Sequence, residues 1–186
     1  MHRPNHAIAL IVVAVLAPAC GAGTPSAAHP TETAPRRTAT FEEYSTALCG
    51  AFDAMFQGVG NPDTGSGSAL SKALDQAVEA RDVATAERLA GTITATLETG
   101  RQQAAVAGRW PSAASMTLQL DRVLLAFEAM IAAKKAKATG AAADPQAAFE
   151  AAGGVDAWTA MFQAYPTVVR PSGSPNQQCP TVPLTP

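Results

Sequence analysis

Beyond position 29 the sequence has no histidine: the three it contains are His2, His6 and His29, in a chain of 186 residues. That absence removes Ser-His-Asp and Cys-His catalysis, and any imidazole general base, from the part of the chain able to build a core. Aromatic residues make up 5% of the chain, and charged residues 15%, the latter below the roughly 25% usual for soluble domains. A net charge of −2 offers no basic field for a polyanion, so nucleic-acid binding is disfavoured. Fourteen carboxylates lie at or after Glu42, but they fall singly on polar faces with no aromatic platform beside them, which argues against a glycosidase pair. No cysteine has a second cysteine or a histidine nearby to complete a metal site. Met55, Met116, Met130 and Met161 are scattered without the close spacing a Cu(I) site needs. No enzymatic activity and no cofactor are expected.

Alanine is what the chain has in excess: 42 of its residues, close to half of the apolar set. Small apolar side chains pack helices closely. The N-terminus runs Met-His-Arg-Pro-Asn-His, then an apolar stretch from Ala7 to Ala17, then Ala17-Pro18-Ala19-Cys20. This is the order of an export signal over residues 1–19: charged start, apolar centre, small-residue cleavage site. The eleven residues Ala7–Ala17 are too short to span a bilayer.

A cysteine directly after a small residue at such a site resembles the lipobox of bacterial lipoproteins, a likeness confined to the first twenty residues. Leu16 stands one place earlier than the usual leucine, and Pro18 fills a slot that normally holds a small residue. The resemblance implies that Cys20 is lipidated, becomes the mature N-terminus and holds the protein at the outer face of the cytoplasmic membrane. Ala17-Pro18-Ala19 also satisfies ordinary secretory cleavage, which would release a soluble protein beginning at the same cysteine. With Cys20 assigned to the lipid, Cys49 and Cys179 remain as an even pair in an oxidising compartment, and one disulfide between them is expected.

Residues 20–39 hold three prolines, four threonines and no large apolar side chain, so they are expected to form a flexible tether in which Arg36 and Arg37 are solvated. Thr40 and Glu43 then give a capping-box spacing. Apolar residues recur at three- and four-residue steps from Phe41 to Val59, from Leu70 to Val78, from Val83 to Leu97 and from Met116 to Ile131, as amphipathic helices require. Gly91 and Gly100 mark either close helix contact or an early stop in the third. Lys134, Lys135 and Lys137 are expected to complement the end of the fourth. Asp144-Pro145 starts a short helix, and Val155, Trp158, Met161, Phe162 and Tyr165 line one side of a last one. The stretch Asp63–Ser68 reads as a surface loop, and no run alternates long enough for a sheet. The expected fold is all-α: a four- to six-helix, antiparallel-type bundle over residues 40–167, with a Pro-rich extended tail over 168–186 pinned by the disulfide. Trp110 is expected to fold back over the bundle end, and Trp158 to be core.

Three segments share the order Ala-aromatic-x-Ala-Met-large, around Phe52 and Met55, Phe127 and Met130, and Trp158 and Met161. Aromatic and Met at i and i+3 share a helix face and contact favourably. Two readings follow. The chain is an envelope binding module that presents a helical surface to another envelope protein, its core filled by these knobs. Alternatively it carries a small apolar ligand in a cavity lined by Met55, Phe127, Met130 and Met161.

Overall fold

The computed structural model describes residues 37–61, 65–169 and 179. The export signal, Cys20 and its expected lipid, the tether up to residue 36, and the tail other than Val168, Val169 and Cys179 lie outside the described residues.

Six helices form the fold: α1 (Phe41–Gly58), α2 (Ala69–Glu79), α3 (Val83–Ala107), α4 (Ala114–Ala138), α5 (Pro145–Ala151) and α6 (Gly154–Ala164). Short 3-10 turns precede α4 at Pro111–Ala113 and follow α6 at Tyr165–Thr167. The fold is the expected all-α bundle. One addition was not foreseen: β1 (Gly60–Asn61) and β2 (Ser66–Gly67) pair antiparallel, so the expected loop after α1 closes as a miniature hairpin. Gly60 requires its residue type there, because at φ 103° a Cβ would lie 2.2 Å from the Ser66 carbonyl oxygen.

Local chemistry sets each helix start. The Thr40 hydroxyl accepts from the Glu43 amide at 3.2 Å, and the Thr40 amide donates to the Glu43 carboxylate at 2.8 Å, completing the capping box of α1. Ser68 accepts from the Ser71 amide at the start of α2 and donates to the Gly58 carbonyl, tying that start to the end of α1. Asp82 caps α3 through the Thr85 amide, and Asp144, followed by Pro145, caps α5 through two amides.

Packing then assembles the helices. Gly50 lies against Gln103, and Gly58 against Leu97, so α1 runs antiparallel to α3. Gly100 lies against Leu124, and Gly108 against Thr117, so α3 runs antiparallel to α4. On its other flank α4 carries α5 and α6, and α2 lies across α3 and α4. Met55, Leu74, Ile93, Leu97, Leu120 and Leu124 are fully enclosed in one continuous core. Gly100 does not stop α3. It stands where Ala54 and Ala51 of α1 come so near that a Cβ would meet them at 3.1 and 3.2 Å.

The ends of the bundle refine the expected boundaries. Arg37 forms an ion pair with Glu43, and Ala39 is buried with its amide bonded to the Arg109 carbonyl, so the packed part begins before Thr40. Arg37 is therefore not merely solvated. Cys49 and Cys179 are joined as a disulfide, with Cys179 buried. Among the described residues no helix is long and apolar enough to cross a membrane.

Candidate functional site

The four residues proposed for a ligand cavity do not share one environment. Met55 on α1 and Met161 on α6 are enclosed in the core, Phe127 is buried with its ring 4.8 Å from Phe149 of α5, and Met130 is half-buried at the core's edge. They act as packing knobs on three different helices. Two surface clefts lined wholly by described residues touch none of them. The first, about 580 Å³, runs between Gly50, Asp53 and Gln57 of α1 and Thr92, Thr96 and Thr99 of α3. The second, about 420 Å³, lies between Ala104, Ala105, Gly108 and Arg109 at the end of α3 and Ala114, Leu118 and Asp121 on α4.

Exposed apolar side chains define the surface instead. On α6, Val155 is 50% and Phe162 43% exposed, one heptad apart, and half-buried Trp158 between them meets Phe162 edge-on at 5.1 Å. Sequence periodicity assigned Val155 and Phe162 to the same side as Met161. The structure separates them, turning Met161 into the core while Val155 and Phe162 face out. Trp158 is likewise only partly enclosed. On α4, Leu118 is 50% and Leu125 40% exposed, again one heptad apart. Trp110 behaves as expected, stacking over Tyr44 and edge-on to Phe41 at the bundle end while its indole N–H donates to the Val169 carbonyl at 3.0 Å.

Beside the α4 row lies a charged cluster absent from the sequence reading. The Arg101 guanidinium of α3 donates to Asp121 at 2.8 Å and to Glu98 at 2.9 Å, and stands 3.8 Å from Glu128. Three carboxylates thus share one cation. Glu128 Oε1 is buried without a hydrogen-bond partner. Burial raises its carboxyl above the ordinary value, the charges of Glu98 and Asp121 add to that, and Arg101 opposes it. Lys134 departs from its expected part as a helix-end cation: its ammonium reaches across to Asp75 of α2 at 2.6 Å and to the Ser71 hydroxyl at 3.4 Å. Among the described residues no group of three His, Cys, Asp or Glu side chains is placed to hold a metal ion.

No protein-family model matches the chain, and no curated protein or solved structure matches it. The surface just described is therefore the ground for a functional reading.

Proposed function

We propose that this chain is a non-enzymatic binding module of the bacterial cell envelope, exported by residues 1–19 and anchored by a lipid on Cys20 to the outer face of the cytoplasmic membrane. It presents α6 to another envelope protein. The observation that carries the reading is the row Val155, Trp158 and Phe162, which leaves large apolar side chains in water although the core has knobs of its own. An exposed apolar row centred on a tryptophan is the chemistry of a protein contact, since tryptophan dominates binding energy where it is desolvated by a partner. The enclosure of Met55 and Met161 favours this reading over carriage of an apolar ligand between the helices.

A photo-crosslinking amino acid at Phe162, expressed in cells of the native host, tests it. One discrete adduct at Phe162 and none at the exposed control Arg88 is expected; equal capture at both, or none, would sink the reading. Intact mass of the exported protein checks the anchor separately. A diacyl or triacyl increment on Cys20 is expected, and an unmodified Cys20 would mean the protein is released.

A further inference from the structure

The outer side of α4 repeats at alternating four- and three-residue steps: Leu118, Arg122, Leu125, Ala129, Ala132 and Ala136. None of the six is buried, and the row extends about 27 Å at a rise of 1.5 Å per residue. This is the spacing of a coiled-coil seam. Its composition is lopsided, with the large side chains in the N-terminal half and only alanine in the C-terminal half. Turning the helix end over end about a two-fold axis beside Phe127 sets Leu118 against Ala136, Arg122 against Ala132, and Leu125 against Ala129. Every large side chain meets a small one.

The charges obey the same reversal. Asp121 and Lys135 occupy equivalent places on one edge of the seam, so each copy's Asp121 faces the other copy's Lys135, twice in a symmetric pair. Asp121 belongs to the cluster in which Arg101 alone offsets three carboxylates, so the edge lacks positive charge, and Lys135 is exposed. The 420 Å³ cleft beside Leu118 and Asp121 opens at the level where the second copy's Lys135 would arrive. Two contributions oppose the pairing: Glu128, on that edge beside the axis, which in each copy keeps its own Arg101 at 3.8 Å, and Arg109, an exposed cation that lines the cleft.

We propose that α4 is a self-docking helix, and that two copies of this chain associate antiparallel through the Leu118–Ala136 row. The proposal stands on α4 alone and is independent of the α6 reading. Sedimentation equilibrium of the full chain in detergent tests it. Wild type is expected to reach twice the chain mass, while Asp121→Lys and Lys135→Asp each raise the dimer dissociation constant at least about tenfold, since each sets like charges in opposition. Mixing the two variants restores pairing, because every contact then joins opposite charges, and an unfolded chain could not give that rescue. Leu125→Glu lies on the exposed row, and it should abolish the dimer while leaving the helical circular dichroism unchanged and bringing the thermal midpoint down only to that of wild type diluted to monomer. A wild type that stays monomeric overturns the proposal, and so does a dimer that survives Leu125→Glu with its affinity unchanged.

Discussion

Two glycines inside α3 look alike in the sequence and differ in what surrounds them. A Cβ at Gly91 would meet nothing within 4 Å, so Gly91→Ala is expected to stabilise the protein by about 0.5–1 kcal/mol, the helix-propensity difference, in urea melts. At Gly100 the backbone of α1 stands 3.2 Å from a Cβ, so Gly100→Val should instead cost about 1–3 kcal/mol through overpacking. Sequence reading offered close contact or an early stop for both positions. It had no means of deciding, because the partner surface at Ala51 and Ala54 is about fifty residues away. Glu128 poses the same difficulty. Nothing in its neighbours along the chain shows that it is driven against Arg101 with one oxygen unpartnered. Its carboxyl is raised in the folded state, so the stability it contributes is present below the unfolded value and is lost as pH rises through the folded one. Glu128→Gln is therefore expected to raise the thermal midpoint at pH 7, with the gain shrinking toward pH 4; no gain at pH 7 would count against the burial argument.

Helix starts were the most legible feature at the scale of the element, because a cap is a local bond between residues three apart. Thr40 with Glu43, Ser68, Asp82 and Asp144 all cap where the sequence places them. Thr40→Ala is expected to cost about 1 kcal/mol, measured by chemical denaturation. The Glu43 carboxyl is held down to about 2, first by its bond to Arg37 and then by the Thr40 amide. A carboxyl lowered in this way contributes stability above its unfolded value near 4.5, and loses it as pH falls toward 2. Protection of the Thr40 and Glu43 amides in hydrogen exchange should decline across that window, and protection that persisted to pH 2 would contradict the assignment. Faces were less legible than starts. Val155 and Phe162 share an apolar side with Trp158, but only a three-dimensional neighbour decides which part of that side is covered. Alanine compounds the problem on α4, since Ala126 is buried and Ala132 exposed on one helix.

For the whole molecule the cysteine count was more telling than periodicity: three cysteines leave one without an intrachain partner, and the expected pair, Cys49 and Cys179, is joined. Their separation of 130 positions gives a chain-entropy contribution of roughly 5 kcal/mol as an upper figure. Replacing both by alanine should lower the unfolding free energy by an amount up to that value, read from denaturant midpoints. The pairing of the six helices, with α1 on α3 and α4 between α3 and the α5–α6 pair, was not legible, because the alanine-rich faces are compatible with several pairings until close approaches such as that of Gly100 to α1 select one. The Cys49–Cys179 bond has a further consequence, for tension and for proteases. It makes the polypeptide between Cys49 and Cys179 a covalent ring, so a pull between the two chain ends passes from Cys49 straight to Cys179 and never loads α2 to α6. A single cut anywhere inside the ring opens it without dividing it. A nicked chain should run at full mass on a non-reducing gel and fall into two pieces only when a thiol is added.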